Sequence, residues 1–95
     1  MKQYSRIVTK QFKKDLRYLQ RINADLVKLE RVIAMLISDT PLPPQYKDHP
    51  LKGNLKGKRE CHISSNWLLL YEKNDNELLL LLLRTGDHRH VLNME

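Results

Sequence analysis

A chain of 95 residues, 41% hydrophobic and 29% charged, can build one modest core, so a single domain over residues 1–95 is expected. Its formal net charge of +6 favours an anionic partner, although charge alone does not choose among nucleic acid, an acidic protein and a membrane surface. Cys61, the one cysteine, excludes an intrachain disulfide framework and fits a reducing compartment. The start "MKQYSRIVTKQFKKD" has no continuous apolar region of the secretory kind, so cytoplasmic residence is the expectation.

Tyr4, Ile7 and Val8 give "QYSRIV" weak strand character, and Thr9 can cap a helix starting just after it. Phe12, Leu16 and Leu19 then recur at helical spacing, which predicts a first amphipathic helix. Asn23 or Asp25 offers a break and a new cap. Leu26, Leu29, Ile33, Leu36 and Ile37 form the apolar stripe of a second helix. The stretch "SDTPLPPQYKDHPLKGNLKGK" ends that helix through its prolines and reads as a long, basic loop of the kind that often carries function.

Three β-compatible runs come next, "RECHIS", "NWLLLYEK" and "ELLLLLLR", separated by turn signals and expected to form an antiparallel meander. The leucine run is too short to span a membrane, which takes about 20 apolar residues, and it is closed by Glu77 and Arg84. Its lack of alternation implies that both faces are covered. The helices account for one face, and the C-terminal "HVLNME" or a partner chain is the simplest cover for the other. The fold class is therefore α+β, with two N-terminal helices packed on an antiparallel sheet and a short N-terminal strand.

The residues with chemistry are His49 in the loop, His62 on the first meander strand, and His88 and His90 after the leucine strand. Imidazole gives and takes protons near neutrality, and a meander can bring these positions to one side of a sheet, although a single histidine is more often a surface or packing residue. A zinc site is disfavoured: neighbouring strand residues such as Cys61 and His62 point to opposite faces, and no C-x-x-C pair exists. Lys47, Lys52, Lys56, Lys58 and Arg59 form a basic cluster suited to tracking phosphates. Trp67 shares a strand face with Tyr71, a pair that serves either as core or as a base-stacking platform. Metal-free RNA cleavage needs a base for the 2′-hydroxyl, an acid for the departing 5′-oxygen and cations around the phosphate, all of which histidines, Arg84 and lysines supply.

From Tyr46 onward, "YKDHPLKGNLKGKRECHISSNWLLLYEKNDNELLLLLLRTGDHRHVL" resembles the YafQ branch of the RelE superfamily of bacterial toxins. That family's pattern is roughly a D-H-x-L-x-G loop, an R-x-x-H-I strand, a D-[apolar]-L-x-x-Y strand and an R-x-G-x-H-x-x-L-F ending. The two N-terminal helices fit its RelE-like microbial RNase layout. The resemblance implies an mRNA interferase without a cofactor or metal. Such a toxin cuts messages in the ribosomal A site, leaves 2′,3′-cyclic phosphate and 5′-hydroxyl ends, and is neutralised by an antitoxin protein. It has no membrane partner. It also implies His49, His62 and His88 as the acid/base and phosphate-contacting set, with Arg84 stabilising transition-state charge. His90 matches no position of the pattern.

Two rival functions share the fold or the basic loop: a ParE-like toxin that acts by binding gyrase, and a non-catalytic RNA-binding module. Neither requires His49, His62 and His88. The sequence also departs from the pattern where Asn66 replaces an aspartate and Leu92 replaces the terminal aromatic. An amide cannot serve as a base, and leucine offers no stacking surface. Lower activity or altered codon preference is expected. Asn66→Asp and Leu92→Phe should therefore raise or redirect cleavage, and rates and cut sites identical to the parent would remove the idea.

Overall fold

A computed structural model describes residues 2–92, the side chains of His90 and Leu92 excepted. Along the chain run β1 (Ser5–Val8), α1 (Lys10–Arg21), α2 (Leu26–Ile37), β2 (His49–Pro50), β3 (Arg59–Ser64), β4 (Trp67–Asn74), β5 (Leu79–Gly86) and α3 (His88–Leu92). The sheet order is β1-β5-β4-β3-β2. Residues 59–86 form the expected antiparallel meander, but β1 runs parallel to β5, pairing Ser5 with Leu79 and Val8 with Leu82. The α+β fold with its antiparallel meander is as expected, and the short N-terminal strand, whose direction the sequence left open, makes the sheet mixed. The physical reason is connectivity: the chain passes from β1 to the meander through α1 and α2, and a crossover through helices is what a parallel strand pair requires.

Both helix starts match the caps read from sequence. The Thr9 hydroxyl accepts from the Phe12 N–H at 3.0 Å, and the Asp25 carboxylate accepts from the Val27 N–H at 3.2 Å. Phe12, Leu29, Val32, Ile33 and Leu36 then bury against Cys61, Ile63, Leu69, Tyr71, Leu80 and Leu82, which alternate along β3, β4 and β5. On the opposite face Leu68 and Leu70 are covered by Val91 of α3, with Leu51 and Leu83 packed around them. The C-terminal segment is therefore a cover for the second face.

The proline-rich segment is more ordered than a plain loop. Single 3₁₀ turns at Pro44–Tyr46 and Gly53–Leu55 flank β2, which pairs with β3. Gly57, at φ 93°, takes the left-handed backbone needed to turn the chain into β3.

Thr9 also ties two elements together, because its hydroxyl donates to the Leu83 carbonyl at 2.8 Å. Thr9→Ala should lower stability by about 1–2 kcal/mol in urea unfolding. Thr9→Ser should restore most of it, since the hydroxyl alone makes both bonds.

Candidate active site

Glu60 and His62 are two residues apart on β3 and so share a face, while β2 pairs His49 directly with Glu60. Glu60 is buried, and its Oε2 lies 3.0 Å from Nε2 of His49 and 3.8 Å from Nε2 of His62. Its register partner on β4 is Leu70, on the face closed by Leu51 and Val91, which accounts for the burial of a carboxylate here. Among the described residues, Glu60 Oε1 has no hydrogen-bond partner. A buried acceptor left without a donor is costly, and such groups concentrate at functional sites. The other ring nitrogen of His49, Nδ1, faces the Pro50 carbonyl at 3.1 Å.

Three motif residues hold the histidine-bearing loop in place. Asp48 accepts from Arg59 Nη2 at 3.1 Å and from the Tyr71 hydroxyl, with Arg59 and Tyr71 paired across β3 and β4. Burial, reinforced by the bond to Asp48, pushes the Tyr71 phenol well above its ordinary range, so it stays a neutral donor. Arg59 thereby anchors the loop while its side chain stays partly exposed. Lys47, Lys52 and Lys56 are exposed and Lys58 is half-buried. Cys61, on the helix side of β3, is buried and its thiol is pushed up to about 12 by burial, which makes it inert rather than nucleophilic.

Arg84 sits where β5 bulges. Leu70 pairs with Arg84 but Tyr71 pairs with Leu82, leaving Leu83 extra. The disrupted ladder lets two successive groups reach the buried Asp15 of α1. Arg84 donates through Nε at 3.2 Å and Nη2 at 3.1 Å, and the Thr85 N–H donates at 3.0 Å. Trp67 donates to the Thr85 hydroxyl at 2.9 Å, packs on the core and also lines a cavity at this end of the sheet. His88 opens α3 and is exposed. The register places it at the same end as His62: His62 pairs with Leu68 and Leu68 with Gly86, so the His62 and Gly86 backbones are roughly 10 Å apart. The structure brings His49 and His62 together on Glu60 and sets His88 beyond them. The side chain of Leu92 lies outside the described residues.

Two cavities flank this end. One of about 590 Å³ is lined by His62, Ser64, Ser65, Lys47 and, from α2, Lys28 and Arg31. The second, about 540 Å³, lies between α1 and the ends of β4 and β5 and is lined by Asp15, Asn66, Trp67, Arg84, Gly86 and Asp87 among others. Sequence reading missed Glu60, Asp15, Lys28 and Arg31. Glu60 had one available signal, its i, i+2 spacing from His62 on a strand. The other three become visible only when helix and sheet meet.

A family model described as a bacterial toxin of type II toxin–antitoxin systems, YafQ, matches residues 4–93. This chain belongs to that family. It is a toxin of a type II toxin–antitoxin system. Over 79 residues it is 43% identical to the mRNA interferase toxin YafQ of Escherichia coli strain K12, covering 82% of this chain and 84% of that protein. The toxin in the crystal structure of the E. coli DinJ-YafQ complex shares its fold at TM-score 0.86 and 37% identity, over 96% of this chain and 99% of that one. A metal-bound toxin from Helicobacter pylori matches at TM-score 0.87 and 42% identity, over 93% and 98%. Among the described residues here, no group of three or more His, Cys, Asp or Glu is placed to hold a metal ion. No described helix is long and apolar enough to cross a membrane.

Removing Asp15 takes away the carboxylate that accepts two bonds from a guanidinium only 14% exposed and a third from the buried Thr85 N–H. Asp15→Ala should cost about 3–5 kcal/mol in denaturant unfolding. A loss below 1 kcal/mol would show that the pair contributes little to holding α1 on β5.

Proposed function

We propose that this YafQ-family toxin is a metal-independent, ribosome-dependent endoribonuclease that cuts messenger RNA in the A site. The observation that carries the reading is the buried Glu60 carboxylate set between His49 and His62, the second of which also lines a cavity that holds Lys28, Arg31 and Lys47. A toxin acting only by contact with a protein target needs no such arrangement. Cleavage on the ribosome puts the activity in the bacterial cytoplasm, and a partner of the DinJ kind is the expected cognate antitoxin.

In the reaction a base removes the 2′-hydroxyl proton, the 2′-oxygen bonds to phosphorus, and the bond from phosphorus to the 5′-oxygen breaks as an acid delivers a proton to that oxygen. The products are a 2′,3′-cyclic phosphate and a 5′-hydroxyl. His49 is suited to be the acid. Its ring is held between the Glu60 carboxylate at 3.0 Å and the Pro50 carbonyl at 3.1 Å, while the side chain stays half-exposed and open to a substrate oxygen. Glu60 fixes that ring and limits its rotation. His62 and His88 supply the base and contacts to the phosphate. Arg84, oriented by Asp15, adds positive charge on the side of Asn66.

The decisive test uses messages on ribosomes in which the 5′-oxygen at the cut site is replaced by sulfur, a leaving group that departs without a proton. His49→Ala should lose about 10²–10⁴-fold on the natural linkage and recover most of that on the sulfur substrate. His62→Ala should not recover. Equal losses on both linkages for His49→Ala would remove its assignment as acid, and absence of cleavage by the parent protein would remove the nuclease reading.

A further inference from the structure

We propose that Lys28 and Arg31 of α2 form, with Lys47, a binding track for the ribose–phosphate backbone of the message next to the nucleotide being cut. The identity of the strand rests on the nuclease reading. The track itself rests on geometry. Lys28 and Arg31 are three residues apart, so they stand one above the other on one helix face, and both line the cavity that contains His62. Lys47 lines the same cavity from the end of the first 3₁₀ turn, and the hydroxyl-bearing Ser64 and Ser65 complete it.

These cations are uncompensated because the carboxylates nearest them in sequence are used elsewhere. Glu30, between Lys28 and Arg31, takes both Nη atoms of Arg6 at 2.7 and 2.9 Å, and that pairing holds its carboxyl below the usual range. Asp48, beside Lys47, is held by Arg59 and Tyr71. Among the described residues, Lys28, Arg31 and Lys47 form no ion pair. Three such charges on one concavity focus a positive potential, and hydroxyls add donors for phosphate oxygens.

The cavity also has a direction. His62 is one of its lining residues, so a strand that brings a phosphate to His62 has its neighbouring nucleotide within the cavity that Lys28 and Arg31 line. An acidic protein segment could meet the same charges, but it has no reason to continue onto His62. The basic turn that carries Lys52 and Lys56 does not line this cavity. The message therefore meets α2 as well as the loop.

The experiment measures binding to ribosomes whose A-site codon carries 2′-O-methyl groups, so that nothing is cleaved, and to ribosomes without message, across a range of salt. Lys28→Ala/Arg31→Ala should weaken binding about 10-fold on message-carrying ribosomes only, and lower the salt slope by about 1.4, the value for two lost single-strand phosphate contacts. Arg17→Ala, on an exposed position of α1 that lines neither cavity, should bind as the parent does. Equal weakening with and without message would assign these residues to ribosomal RNA and overturn the proposal. So would unchanged ribosome binding with weakened antitoxin binding. If the parent fails to cleave natural message while the double variant shows the message-specific loss, the track stands and the nuclease chemistry falls.

Discussion

The fold depends on closing both faces of the leucine-rich centre of the sheet. Helices α1 and α2 bury Leu80 and Leu82 from one side, and on the other Leu68 and Leu70 lie under Val91 and Leu51. Those two covers also fix the site. Leu51 comes two residues after His49 and Val91 three after His88, so each hydrophobic anchor holds a histidine-bearing segment against the sheet. A run of leucine ending beside proton-carrying side chains is thus one design. Burial of the second face immobilises the short, irregular segments that would otherwise leave the imidazoles loose.

Charge obeys a related logic. Many carboxylates are drawn into internal contacts: Asp15 with Arg84, Glu30 with Arg6, Asp39 with Lys73, Asp48 with Arg59, and Glu60 with the two histidines. Lys73 also lies over the Tyr4 ring, whose phenol is pushed up to about 12 mainly by its bond to Asp75. The cations left over are not spread evenly. Three of them, Lys28, Arg31 and Lys47, come from separate parts of the sequence to line one cavity with His62, so part of the net charge becomes a local field only after folding.

The elements were largely legible because their signals are local. Thr9 and Asp25 cap their helices, the apolar stripe of α2 is buried as its period requires, and the turns at "SSN" and "NDN" separate the strands. The parallel pairing of β1 was not legible, since a four-residue strand carries no mark of its partner's direction. The histidines of the candidate site could be named from residue chemistry and family pattern. The carboxylate that joins two of them could not, because Glu60 in a basic stretch reads as a solvated counter-charge until burial is known. The pairing of Arg59 with Asp48 was hidden for the same reason, since an arginine in a basic stretch reads first as a phosphate contact. The β5 bulge hid the Arg84 pairing, since alternation along a regular strand does not anticipate one extra residue.

The parallel pairing of β1 with β5 also governs when the molecule can exist. Thr9 and Leu83, joined across that seam, are 74 residues apart, so the entropy of closing nearly the whole chain must be met before the strand pair forms. During synthesis the helices can form early, but the sheet has no seat for β1 until β5 has left the ribosome. His88 emerges directly after it. A chain made only as far as β4 therefore has no partner strand for β1 and lacks both Arg84 and His88.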